Sequence, residues 1–185
     1  VSDLQKKLIV LSSPSGGGKS TVARYILDNF TDIKFSISCT TRSKREKEID
    51  GKDYFFLTKE EFKLKLESDE FAENEEIFGN LYGTLKSEIN KQIEAGNRIL
   101  FDIDVKGAIS LKKIYQENSI LIFLKPPSLT ILEERLRGRG TETDEQIARR
   151  IARAESEMEE LSHFDFVIEN NVLQETFKKV TDILC

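Results

Sequence analysis

Three observations predict an α/β fold for this chain, with a parallel sheet covered by helices on both faces. Short apolar runs alternate with stretches of helical periodicity, as happens when crossover helices separate strands buried on two faces. The first apolar run leads straight into a glycine-rich loop that opens an amphipathic helix. The chain has 185 residues, and one core of that size buries roughly 70% of the unfolded surface, so one domain is the default.

The elements follow in order. Leu8 to Leu11 reads as a buried strand, and Val22, Ala23, Ile26, Leu27 and Phe30 then recur with helical spacing. Ile99 to Phe101, Ile120 to Leu124 and Phe166 to Ile168 read as further core strands. Pro126 and Pro127 end the run that begins at Ile120, and Ser128 can cap the helix after it. Thr58 with Glu61, and Thr143 with Gln146, have capping-box spacing and mark two more helix starts. Two stripes, Ile147-Ile151-Ala154-Met158-Leu161 and Leu173-Phe177-Val180-Leu184, predict helices with one face on the core. The stretch from Phe35 to about Thr84 breaks this rhythm with short pieces such as Tyr54 to Leu57 and Glu73 to Phe78, and reads as a small α+β insertion. Gly138 to Thr143 carries two glycines and no large apolar side chain, so it is a candidate lid.

Composition narrows the class of function. Thirty-three acidic against 28 basic residues leave a net charge of −5, which argues against the broad basic face that non-specific nucleic-acid binding requires. No apolar run approaches the roughly 20 residues that span a bilayer, and no signal-peptide core precedes the glycine-rich loop. A cytoplasmic protein with no membrane or nucleic-acid partner is the expectation. Cys39 and Cys185 have no metal-ligand spacing.

The loop Ser13-Pro14-Ser15-Gly16-Gly17-Gly18-Lys19-Ser20-Thr21 matches the phosphate-binding pattern G-x-x-x-x-G-K-[ST] in all but its first place, where Ser13 stands for glycine. The chemistry tolerates that change, because such loops hold phosphate oxygens with backbone N–H groups and a helix N-terminus. Lys19 is expected to reach the β- and γ-phosphates, and the Ser20 hydroxyl to hold Mg²⁺. Asp102 ends the strand at Ile99 to Phe101, the place from which a carboxylate helps hold that ion or its waters. Two basic clusters accompany the loop: Arg42, Lys44, Arg45 and Lys47, then Arg135, Arg137, Arg139, Arg149, Arg150 and Arg153. Each alone reads equally well as a solvated face.

The loop together with SCTTRSKR (Ser38 to Arg45), DGKDYFF (Asp50 to Phe56), GNLYGT (Gly79 to Thr84), DIDVKG (Asp102 to Gly107) and GRGTET (Gly138 to Thr143) resembles the guanylate kinase family over nearly the whole chain. The resemblance implies a P-loop NTPase-like sheet with a core over about 1–34, 97–137 and 151–185, a GMP-binding insertion over about 35–96 and a lid over about 138–150. It implies ATP-dependent phosphorylation of GMP to GDP, with ATP and GMP as substrates and Mg²⁺ as the ion. Glu73 resembles the family's guanine-reading glutamate, although taken alone it is one of four crowded glutamates, most of which must be solvated. Ser38 and Thr84 are similar to the hydroxyl positions that bind other polar atoms of the base, and Asp104 to a further aspartate near it. Arg42, Arg45, Tyr54 and Tyr82 match the clamp on the GMP phosphate; without the motif, the two tyrosines read as core aromatics. Arg135, Arg139 and Arg150 resemble the lid arginines that act with Lys19 and Arg42 in catalysis. Arg137, Arg149 and Arg153 match no motif and are expected to be solvated. Cys39 and Lys106 depart from the serine and glutamine common in the family. Another nucleoside monophosphate kinase, or a non-catalytic protein-binding module of the same fold, would share parts of this pattern.

Overall fold

Alternating side chains of the central strand reach two separate cores, and the computed structural model of the chain, which describes residues 7–77, 79–138, 140 and 142–185, is built around that split. The strand β1 (Leu8–Ser12) leads to α1 (Lys19–Asn29), β2 (Ile33–Phe35), β3 (Cys39–Thr40), β4 (Phe55–Phe56) and α2 (Lys59–Glu67). Then come β5 (Phe71–Ile77), β6 (Asn80–Leu85), α3 (Lys86–Glu94), β7 (Arg98–Asp102) and α4 (Val105–Tyr115). The chain finishes with β8 (Ser119–Lys125), α5 (Leu129–Arg137), α6 (Asp144–Glu159), β9 (Phe166–Glu169) and α7 (Leu173–Leu184).

Five strands form the main sheet in the order β2-β7-β1-β8-β9, all parallel. Ile9 and Leu11 of β1 pack with Val22 and Ile26 of α1 and Val180 and Leu184 of α7. Leu8 and Val10 pack with Ile89 of α3 and Ala108 and Leu111 of α4 on the other face. These four β1 side chains are fully buried, which is why Leu8 to Leu11 is apolar at every position and not at alternate ones. At about 1.5–3 kcal/mol for each large aliphatic side chain removed from water, this double layer is the main favourable contribution to the fold.

The second sheet has the order β4-β3-β6-β5, with β3 and β4 parallel and the other pairs antiparallel. Its own small core gathers Cys39, Phe62 and Phe71, with the two rings stacked at 4.3 Å. Burial pushes the Cys39 thiol up to about 12, so this residue is packing and not a nucleophile. The capping boxes expected at Thr58 and Thr143 are both formed, and Ser128 caps α5.

Three expectations need correction. Leu173 is 39% exposed and not on the core, and Gln174 and Glu175 of the same first turn of α7 are exposed with it. The run from Phe166 to Ile168, expected as a core strand, is the edge strand β9, where Phe166 and Val167 are exposed and only Ile168 is buried. Phe35, expected to open the insertion, is the last residue of the main-sheet strand β2. Phe78, expected to end the run from Glu73, lies outside the described residues.

Candidate active site

The turn from β1 into α1 is shaped by three glycines with three different constraints. Gly16 and Gly18 both have φ of +91°, a left-handed conformation that strains any residue with a Cβ. A Cβ at Gly18 would also strike the Asn170 side-chain nitrogen. Gly17 N donates to Pro14 O at 2.8 Å, and a Cβ there would sit 2.9 Å from the Ser13 side chain. Ser13 is buried beneath the loop, its hydroxyl donating to Pro14 O at 3.1 Å. No side chain caps α1, so its first amides are left for an anion.

Charged side chains surround this loop. Lys19 Nζ lies 2.8 Å from Asp102 Oδ1, a meeting arranged by the parallel pairing of Leu11 with Asp102 across β1 and β7. Arg150 on α6 donates to Ser15 Oγ and pairs with Glu142 at 2.7 Å. Arg135 on α5 donates to the Asn170 carbonyl at 3.1 Å. Asn170, buried just after β9, donates through Nδ2 to Gly17 O at 2.7 Å while its Oδ1 accepts from Thr176 at 3.0 Å. Arg139 lies outside the described residues.

A cleft of about 520 Å³ runs from the loop to the second sheet. Opposite the loop its wall includes Ser38, Tyr54, Glu73, Tyr82 and Asp104, drawn from β5, β6, the N-terminus of α4 and the connections beside β3 and β4. Glu73 is 6% exposed and accepts through Oε1 from the Thr84 hydroxyl at 2.7 Å; Thr84 is its cross-strand partner and lies 3.3 Å from Ser38 Oγ. Burial pushes the Glu73 carboxyl up, and the Thr84 hydrogen bond works against that. Asp104 caps α4, its Oδ1 accepting from Gly107 N at 3.0 Å. Gly107 has no Cβ for a simple reason: one would lie 3.0 Å from both Glu73 Oε2 and Asp104 Oδ1. Two carboxylates thus converge on the N-terminus of α4.

The expected residues do not all face the cleft in the same way. Thr84 is fully buried behind Glu73 and orients it. Tyr54 and Tyr82 lie edge to face at 6.2 Å and form part of the wall. Arg42 stands off the wall, held in a two-pronged pair with Glu48 at 2.7 and 3.0 Å and stacked 5.3 Å over Tyr54. The Arg42 guanidinium, with the Arg45 amide, holds the Glu48 carboxyl down to about 2. The Arg45 side chain is exposed.

A family model described as guanylate kinase matches residues 5–185. The chain belongs to the guanylate kinase family. It is 47% identical over 176 residues to guanylate kinase of Chlorobaculum tepidum, covering 95% of this chain and 90% of the relative. Against guanylate kinase of Bacteroides thetaiotaomicron it is 44% identical over 185 residues, covering 100% of this chain and 91% of that one. The crystal structure of guanylate kinase from Anaplasma phagocytophilum superposes with a TM-score of 0.75 at 34% identity, covering 96% of this chain and 83% of that one. The fold is therefore that of a guanylate kinase, a parallel central sheet with helices on both faces.

Four residues of this guanylate kinase site escaped the sequence reading. Glu75 and Glu157 are on the cleft wall, and neither stands in a motif. Asn170 locks the loop from the far end of the chain. Arg153 corrects the expectation that it is solvated: it is on the wall, bound to Glu157, Asp104 and Glu75. A signal for Arg153 existed, since Arg150 and Arg153 are three apart on one helix and share a face. Arg137 does stay at the surface, paired with Glu133 and Asp144, and Arg149 is exposed.

Proposed function

We infer that the chain transfers the γ-phosphoryl group of ATP to the phosphate of GMP, giving ADP and GDP. The observation that carries this reading is Glu73, a buried carboxylate held by Thr84 across one cleft from the phosphate-binding loop. Guanine presents N1–H and N2–H₂ on one edge, and the two oxygens of a carboxylate match that pair of donors. Adenine has no such edge, so a site built this way rejects AMP by roughly 10⁴-fold.

The donor is held by the loop amides from Ser13 to Thr21, with Lys19 as a point charge on its terminal phosphates. Ser20 and Asp102 are hard oxygen donors at the mouth of the loop, a set that suits Mg²⁺, which takes its remaining ligands from phosphate and water. Bound there, the ion would neutralise charge on the β- and γ-oxygens. GMP is held at its base by Glu73, Ser38 and Asp104, with Thr84 orienting Glu73. Its phosphate carries about two negative charges and is gripped by Arg42, Arg45, Tyr54 and Tyr82. Since Arg42 is bound to Glu48 in the free protein, binding exchanges that partner for phosphate. Arg135, Arg139 and Arg150 then close over the transferred group, whose charge they stabilise in an in-line displacement.

Roughly 35–96 is the GMP-binding unit and 138–150 the lid in this reading. No described helix is long and apolar enough to cross a membrane. The deciding measurement is coupled ADP release with ATP and each of GMP, AMP, UMP and dTMP. Turnover with GMP at least about a hundredfold above the others is expected; comparable AMP turnover, or none with any acceptor, overturns the reading.

A further inference from the structure

Helix α6 sends two arginines into the cleft in opposite directions. Arg150 reaches the phosphate-binding loop through Ser15. Arg153, three residues on, reaches the other wall. Its Nε donates to Glu157 Oε1 at 2.7 Å, one turn along the same helix, which fixes the direction of the guanidinium. Its Nη2 then meets Asp104 Oδ2 at 3.3 Å and Glu75 Oε1 at 3.5 Å. Committed to three carboxylates, this arginine is not placed to grip a phosphate.

What it does hold is Asp104. One oxygen of that side chain caps α4 and the other meets Arg153. Asp104 Oδ1 and Glu73 Oε2 each lie 3.0 Å from the same vacant Cβ position at Gly107, so the two carboxylates are neighbours. Without a cation they would repel each other, and a rotamer change would take Asp104 away from the base. Glu75 adds a third carboxyl to the arrangement. Burial, and then a hydrogen bond shared with Asp104, push its carboxyl up to about 8. Its Oε2 is buried with no hydrogen-bond partner among the described residues.

We propose that Arg153 is a positioning residue for the acceptor nucleotide: from the helix that follows the lid it fixes the Asp104 carboxylate beside Glu73, and so sets the affinity for GMP. This rests on the functional reading above. It makes α6 a shared part, with Arg150 serving the donor side and Arg153 the acceptor side.

Steady-state kinetics with GMP and ATP varied separately test it. Arg153→Gln is expected to raise KM for GMP about tenfold, the loss of one hydrogen bond between charged groups, with kcat and KM for ATP within about twofold. Arg153→Lys keeps the charge but loses the fork, and should raise KM for GMP only about threefold. In an Asp104→Asn background Arg153→Gln should add less than about twofold, because the two residues act as one unit. An unchanged KM for GMP overturns the proposal, as does an equal rise in both KM values or full additivity with Asp104→Asn. A fall in kcat at constant KM also overturns it, by moving Arg153 to the transferred group. Should Arg153→Gln fail to fold, the same cycle with Arg153→Lys carries the test. Wild-type protein that refuses GMP sinks the functional reading instead, whereas a GMP-active enzyme with Arg153→Gln at wild-type KM sinks only this proposal.

Discussion

The two walls of the cleft are built on different principles. The wall proposed to hold the donor is nine consecutive residues, Ser13 to Thr21, shaped mainly by backbone amides and glycine conformations. The wall proposed to hold the acceptor is assembled from side chains spaced along the chain, Ser38, Tyr54, Glu73, Tyr82 and Asp104, with Arg153 arriving from a helix far downstream. A contiguous wall depends on backbone shape, so it tolerates Ser13 in place of glycine. A scattered wall depends on each carboxylate and its orienting partner. The charges differ too: Lys19, paired with Asp102, and Arg150 lie beside the loop, and Glu73, Glu75, Asp104 and Glu157 gather with Arg153 on the opposite side.

The sharpest way to break this division is Lys19→Met. It should lower kcat by about 10²–10³-fold, the usual cost of removing one preorganised electrostatic partner of the transition state. GMP binding, measured by calorimetry, should change by less than about twofold. A large loss of GMP affinity would show that the two walls are not independent. Next in size is Glu73→Gln, which turns one of two acceptors into a donor facing the base. KM for GMP should rise by about 10²-fold while KM for ATP holds; unchanged guanine selectivity would remove Glu73 from the site.

Gly18→Ala probes the donor wall through the backbone alone. The left-handed φ and the clash with Asn170 should together cost about 1–3 kcal/mol in urea unfolding. Adding Asn170→Ala should recover part of that cost by removing the obstacle but not the strain. No recovery would mean that Asn170 does not press on the loop.

The smallest expected effect is on the acceptor side and depends on pH. The Glu75 carboxyl is raised to about 8, so between the ordinary glutamate value and pH 8 the folded state binds more protons than the unfolded one. Stability from this group is therefore full below about pH 4.5 and falls as pH rises toward 8. Asp104 from α4, Arg153 from α6 and Lys106 are the charges that act on it. Glu75→Gln should flatten the decline, so that its Tm falls less between pH 5 and pH 8 than that of wild type. Parallel Tm curves would return Glu75 to ordinary solvent.

Legibility in the sequence followed the same division. The β1-loop-α1 unit was readable because strand, loop and helix are adjacent and each has a local signature: four apolar residues, three glycines, then a 3.6-residue stripe. The capping boxes at Thr58 and Thr143 were readable for the same reason, since a cap needs only residues three apart. Glu73 was singled out by family resemblance, because among four neighbouring glutamates nothing local says which are buried. Leu173 misled, because helical periodicity says which residues share a face and not how far along the helix the core reaches.

By itself the sequence determined the α/β class, the phosphate-binding loop and the family, all properties that local spacing or ordered motifs carry. Tertiary structure alone decided that Thr84 stands behind Glu73, that Asn170 bolts the loop from a site 153 residues away, and that Arg153 faces inward while Arg149 faces water. The physical reason is that burial and pairing of a charged side chain depend on what the fold brings opposite it. Asp104 and Glu75 are 49 and 78 residues from Arg153 in the chain, and only the packing of α6 across the cleft makes them neighbours.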